Sequence, residues 1–276
     1  MSYRRGRWFA SFCVDADRPD RSPMLPQATI GVDVGITHTL AVLSTGEMIP
    51  NRRPLDQAQQ RLRRLARQAS RRMGPDRHAT RSSSRRWRKT QVKIARLHAR
   101  VANLRENSLH QLTTQLAATY GTIVAEDLYV VGMLHNRRLA RRVADAGFGK
   151  IRRQLVYKTA WNGGRLTLAD RFYPSTKTCS GCGAVKAKLR LSERIFQCER
   201  CRGVLDRDLN AARNLAALVS GPSSPSRGAT INEPAGNPCK TRVAGKGYRH
   251  GKTILRSGMA TAGAARHGLP EQRGPD

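Results

Sequence analysis

Four cysteines and three acids carry the chemistry open to this chain. Cys179 and Cys182 form one C-x-x-C pair and Cys198 and Cys201 a second, with 15 residues between the pairs. Two thiolates so spaced reach one tetrahedral metal from a tight knuckle, Gly181 and Gly183 ease that turn, and the intervening residues have hairpin length. Four thiolates close the coordination shell and leave no place for water, so the expected ion is a structural zinc. Disulfide pairing is the competing use, and two matched pairs in a chain read as cytoplasmic argue against it.

The acids are more scattered. Asp33 ends an apolar run in "GVDVG", Glu126 ends another in "VAED", and Asp208 opens the helical stretch "LNAARNLAAL". Each alone reads as an ordinary turn residue, and Asp208 as a helix N-terminal cap. Gathered in one place they make a hard oxygen site for two Mg or Mn ions, which stabilise the attacking and leaving oxygens of a phosphodiester and activate water.

The elements that must position these residues follow from the pattern of apolar runs. Residues 7 to 14, "RWFASFCV", read as a strand, and "ATIGVDVGITHTLAVLSTGEMI" reads as a β-meander turning at Gly35 and at "STGE". From Arg52 to Arg105 there are 18 Lys and Arg against Asp56 and Asp76. Two helices fit there, one striped by Leu62, Leu65, Ala66, Ala69 and Met73, the other by Ile94, Leu97, Val101 and Leu104, with a break around "MGPDRHATRSSS". A strand ending at "VAED", helices over "RRLARRVADAG" and "GKIRRQLVYKTAWNG", and a strand in "GRLTLADRFYP" precede the cysteines. After Leu218 the chain turns to Gly, Pro and Ser, the composition of a disordered tail.

Composition bounds the partner. Fifty-one Lys and Arg against 19 Asp and Glu leave a formal charge of +32 on 276 residues, a field that attracts polyanions before any specific contact forms. Solvated helical faces mix both signs, whereas the 52–105 segment carries Arg almost alone, so it is read as phosphate-facing. Arg61, Arg64, Arg71, Arg85, Arg86, Arg88, Lys89 and Lys93 are the expected contacts, with Trp87 in "RRWRKT" placed to stack on a base or to anchor its helix. No run of about 18 apolar residues marks a membrane span, and a cytoplasmic protein, bacterial and nucleoid-associated, is expected.

The order of these pieces resembles a known family. "GVDVGITHTLAVLS", "IVAEDL", "HNRRLARRVADAGFGKIRRQLVYKTAWNGG", "ADRFYPSTKTCSGCG", "QCERC" and "LDRDLNAARN" occur as in the TnpB/OrfB proteins of bacterial insertion sequences, which are similar to the type V CRISPR effectors. The resemblance spans about residues 7 to 218. It implies an α/β fold: an RNase H-like RuvC nuclease domain with a helical insertion and an inserted four-cysteine zinc ribbon. The implied layout is a remnant of an upstream wedge-type β domain at 1–27, a nuclease core at 28–174 with the Arg-rich insertion at 52–119, a ribbon at 175–203, a last nuclease segment at 204–220 and a disordered basic tail at 221–276. Asp33, Glu126 and Asp208 take the family's metal-binding roles, with Asp206 the spare acid and Asn210 an orienting neighbour.

Family members are RNA-guided DNA endonucleases in which guide pairing reads most of the target. The resemblance therefore implies DNA and a guide RNA as partners, structural zinc and catalytic Mg or Mn as cofactors, and leaves self-association open. It also implies that most of the upstream guide-holding region is missing here. Two alternatives stand beside a metal-dependent endodeoxyribonuclease: an inactive DNA- or RNA-binding remnant, and a transposase carrying out strand transfer, for which no Tyr nucleophile with a paired His motif is evident.

Overall fold

The computed structural model describes residues 1–4, 7–14, 20–76, 82–190, 192–220 and 229–230. Its centre is a six-stranded sheet. Strands β3 (Leu25–Val34), β4 (Thr39–Leu43) and β5 (Met48–Pro50) form an antiparallel meander. β6 (Tyr120–Glu126) adds parallel to β3, β7 (Arg165–Ala169) adds parallel to β6, and the short β10 (Ala229–Thr230) pairs antiparallel with β7 at the edge. The order across the sheet is β10-β7-β6-β3-β4-β5. Parallel central strands need both faces covered, and the near-continuous apolar runs of β3, β6 and β7 meet that requirement.

Side chains alternate between the faces. Ile30, Val32, Ile123, Leu166 and Leu168 enter the larger core with Leu109, Leu112 and Leu116 of α2 (Arg85–Thr119) and with α4 (Ala140–Ala146) and α5 (Phe148–Trp161). Val124 and Ala169 enter a smaller core on Leu215 of α6 (Arg207–Ser220). The residues that share the second face with Val124 are thus Gly31 and Asp33 on β3 and Glu126 on β6.

The crossover from β5 to β6 is the helical hairpin of α1 (Pro54–Ser70) and α2. Pro54 supplies a preset φ at the first turn of α1, and the carboxylate of Asp145, 90 residues away, accepts from the Leu55 N–H in place of a local cap. Ser84 caps α2 through the Trp87 N–H. The apolar stripes are only partly covered: Ala69, Thr90 and Val101 are buried, while Met73 and Leu104 face solvent. A short helix, α3 (Val130–His135), follows β6 in a stretch to which the sequence pattern assigned no element.

Two small hairpins flank the sheet. β1 (Ser2–Arg4) pairs with β2 (Arg7–Phe9), so the strand expected over 7–14 is shorter than its apolar pattern suggests. β8 (Ile195–Gln197) pairs with β9 (Val204–Asp206), which runs straight into α6. The boundary expected at 203 therefore falls inside a hairpin. Apart from β10, which pairs in register as Ala229 with Leu168 and Thr230 with Thr167, the expected tail at 221–276 lies outside the described residues. No helix among the described residues is long and apolar enough to cross a membrane.

Candidate active site and metal centre

The register of β3 on β6 brings two acids together. Gly31 lies beside Val124 and Val32 beside Ala125. Carried one step further, this parallel register sets Asp33 next to Glu126 at the carboxyl ends of neighbouring strands. Both share the face occupied by α6. Gly31 explains how close that helix comes: a Cβ there would lie 1.9 Å from the Ala212 carbonyl oxygen, so only a glycine lets the α6 backbone rest on the strand. Ala211 and Ala212, both fully buried, form the helix side of this contact. Asp208, one turn before them, is thereby brought over the strand ends.

The two acids of "DRD" divide their work. Asp206, the last residue of β9, accepts from the N–H groups of Asp208 and Leu209 at 2.9 and 3.0 Å and is the cap of α6. Asp208 is therefore released from the capping role that its place in the sequence suggests. Its Oδ1 accepts from Nε and Nη2 of Arg207 at 3.1 and 3.0 Å, while Arg194 stands 4.0 Å from Oδ2. Arg207 is anchored in turn to the carbonyl of Glu193. Glu126 accepts a 2.7 Å hydrogen bond from the hydroxyl of buried Ser175.

Electrostatics join the three. Asp33 is only 9% exposed, and its carboxyl is pushed well above the usual carboxylate range, first by burial and then by the charges of Glu126 and Asp208, with Arg207 opposing. Burial and the two neighbouring carboxylates thus outweigh Arg207 at Asp33, and the all-oxygen donor set is of the kind hard divalent cations take. Ser175, Arg194 and Arg207 are absent from the sequence-based candidates, because nothing in local spacing reveals that a serine 49 residues from Glu126 will bond to it.

The cysteine set is tighter. Sγ of Cys179 lies 3.6 Å from that of Cys201, Cys182 lies 3.6 Å from Cys198, and all four sulfurs fall within 4.8 Å of one another as free thiols. Four sulfurs about 2.3 Å from one ion would be spaced by about 3.8 Å, so the cluster can hold a metal such as zinc. The thiols titrate together: the N–H of Cys201 donates to the Cys198 sulfur and brings that thiol down to about 6, while hydrogen bonds from the neighbouring sulfurs push Cys201 up to about 11. Asn210 and Asn214, one turn apart on α6, tie this segment down. Asn210 accepts from Ser180 N–H and donates to the Thr178 carbonyl, and Asn214 donates to the carbonyls of Ser175 and Thr178. One helix thus holds Asp208, the first knuckle and the serine that orients Glu126.

The basic candidates lie elsewhere. Arg61, Arg64, Arg71, Arg85, Arg86, Arg88, Lys89 and Lys93 are exposed on the hairpin helices. A groove of about 1050 Å³ there is lined by Arg63, Arg64, Arg67, Arg71, Arg72 and Arg86, of which Arg63, Arg67 and Arg72 were not singled out by pattern. Trp87 is half-buried, its Nε1 close to Gly74 at the hairpin turn.

Comparison with known proteins decides the family. Residues 11–137 match the OrfB_IS605 family model, described as "Probable transposase", and residues 148–215 match the Cas12f1-like TNB domain. The chain belongs to the TnpB/OrfB family. A "Putative RNA-guided DNA endonuclease" of Streptomyces pristinaespiralis is 42% identical over 215 residues, covering 78% of this chain and 50% of the relative. The "Putative RNA-guided DNA endonuclease InsQ" of Escherichia coli K12 is 32% identical over 233 residues, covering 79% and 55%. This TnpB/OrfB chain thus spans about half the length of the curated relatives it matches. Among solved structures, a Cas12f1-sgRNA-target DNA complex matches with a TM-score of 0.49 at 17% identity, over 73% of this chain and 51% of that one.

Proposed function

We propose that this chain is the catalytic part of a metal-dependent DNA endonuclease with an RNase H-like RuvC core, cutting phosphodiester bonds under the direction of a guide RNA. The observation that carries the reading is the convergence of Asp33, Glu126 and Asp208 from two strand ends and a helix start onto one face of the sheet. The sheet order, a three-stranded meander continued by two parallel strands, supports the RNase H-like reading. Relatives named as RNA-guided DNA endonucleases support the activity and the partners.

Asp33, Glu126 and Asp208 would hold two Mg or Mn ions, which when bound supply an activated water and charge neutralisation at the scissile phosphate. The protein's own groups prepare the place. Ser175 fixes the Glu126 carboxyl, and Arg207 and Arg194 balance Asp208 until cation or phosphate arrives. The cysteine set, read as a zinc ribbon, keeps the chain entering α6 in register. The Arg-lined groove of the α1–α2 hairpin offers phosphate contacts.

That groove, lined by six arginines, favours one second reading, a nucleic-acid-binding protein without cleavage. Incubating purified chain and co-purifying RNA with labelled single- and double-stranded DNA, with and without Mg or Mn, separates the two. The nuclease reading expects metal-dependent hydrolysis that falls at least about a hundredfold in Asp33→Ala while RNA binding is unchanged. Unaltered chain that binds RNA but leaves DNA intact overturns it, and joined rather than hydrolysed products indicate strand transfer.

A further inference from the structure

We propose that the mouth between the ends of β6 and β7 is a seat for a nucleobase of a single-stranded segment, stacked on Tyr129, Arg171 and Phe172 beside Glu126. This rests on the nuclease reading of that carboxylate and adds to it the chemical class of the group that positions the strand.

A cavity of about 480 Å³ opens here, bounded among others by Glu126, Tyr129, Met133, Asn136, Arg171 and Tyr173. A second, more apolar one of about 320 Å³ shares Glu126, Tyr129 and Arg171 with it. Volumes of this size suit one planar ring system with its sugar rather than a duplex. The walls are built for such a ring. Tyr129 is 56% exposed, and its edge rests on Gly132, where a Cβ would come within 2.4 Å of Cδ1, so glycine at that point of α3 is what lets the aromatic ring lie down.

Arg171 covers the tyrosine, its Cζ 5.2 Å from the ring centroid. The guanidinium does not swing freely. Nη2 bonds to Asp127 Oδ2 at 2.9 Å, and Arg152 bonds to the other oxygen of the same carboxylate at 2.6 Å. A flat, delocalised cation is therefore pre-oriented and half-exposed at the cavity mouth. The next residue, Phe172, lies between Arg171 and Tyr173, which line the larger cavity, but outside the cavity wall itself, and is 88% exposed although large and apolar. Its N–H is bonded to Asp170 Oδ1, and the Tyr173 N–H to the Asp170 carbonyl, so a tight turn holds this ring out in water.

The charge around the cavity selects the occupant. Glu126, Asp127 and Asp170 line it, which disfavours a phosphate inside, whereas a neutral base meets stacking surfaces and the Asn136 amide. Bases in a duplex are paired and stacked and cannot enter such a cleft; bases of a single strand can.

The test uses the whole chain without added divalent ion and an oligothymidylate carrying one 2-aminopurine, whose fluorescence is quenched by stacking. An abasic phosphodiester strand of equal length is the control. Binding of the base-bearing strand is expected to exceed that of the abasic strand by about tenfold, with quenching. Phe172→Ala and Tyr129→Leu should remove both the preference and the quenching while keeping affinity for the abasic strand, and Phe172→Trp should restore them. Equal affinity for the two strands, or quenching that persists in both variants, overturns the proposal. Because Phe172 is at the surface, its replacement does not threaten folding. Failure of the nuclease reading has a different signature: no hydrolysis with Mg by the unaltered chain, with base-dependent quenching intact.

Discussion

Asp33 shows what a buried acid costs and what it waits for. Its carboxyl titrates above the usual range because burial and the charges of Glu126 and Asp208 disfavour the ionised form. A folded-state value raised above the unfolded one contributes stability that is present at low pH and lost as pH rises through the raised value. Above the unfolded-state value, folding without metal must either keep this carboxylate ionised in the pocket or bind a proton there, and either weighs against the folded state. Asp33→Asn should raise the metal-free melting temperature at pH 7 by about 2–4 °C for each kcal/mol relieved, and the gain should shrink as pH falls and Asp33 in the parent becomes neutral. Added Mg should stabilise the parent and not the variant. Thermal melts across pH 4 to 8, with and without Mg, read both effects, and an Asn variant no more stable than the parent at pH 7 would refute them. Asp206 illustrates the opposite use of the same functional group: it spends its oxygen on two helix N–H groups and leaves Asp208 for the site.

At the scale of elements, the site depends on how closely α6 approaches β3. Gly31 permits the contact and Ala211, Ala212 and Leu215 fill it. In Gly31→Ala the new Cβ meets backbone on the helix, which cannot rotate away as a side chain would. The helix must lift, opening the smaller core and moving Asp208 from Asp33 and Glu126. A loss of about 1–3 kcal/mol in denaturant unfolding is expected, together with a loss of the Mg-dependent stabilisation larger than the unfolding change alone explains. Unaltered Mg stabilisation would show that the spacing is not critical.

Elements of this kind differ in how far a single sequence reveals them. The strand ends at Asp33 and Glu126 were readable from apolar runs, and the helix after Asp208 from its alanines and leucines. The cysteine pairs were readable because knuckle geometry is local. The partners of these residues were not. Ser175 on Glu126, Asn214 on the first knuckle and Asp145 as a remote cap for α1 all join positions 36 to 90 residues apart, and their types are common surface residues.

For the molecule as a whole, the cysteine set and the acid site are coupled through one piece of chain. Residues 175–180 are held by Asn210 and Asn214, β9 delivers the Asp206 cap, and Arg207 bonds to Glu193 and Asp208 together. Among the described residues from 170 to 203 there is little regular structure beyond β8 and one isolated bridge between Thr178 and Val185. A metal held by the four sulfurs would add its binding free energy to the folding of this segment. Removing the metal with a thiol-competitive chelator, or replacing Cys198 by Ser, should release amide-exchange protection over 175–206 and at the first turn of α6. The sheet strands β3, β6 and β7 keep theirs, because their core is built from apolar contacts that the cysteines do not touch. Loss of the Mg-dependent stabilisation should accompany that release, since Asp208 and Ser175 lose their supports together. Exchange measured residue by residue decides the matter: protection retained through α6 in the metal-stripped chain would mean that the two metal-binding regions fold independently and that the helix alone positions Asp208.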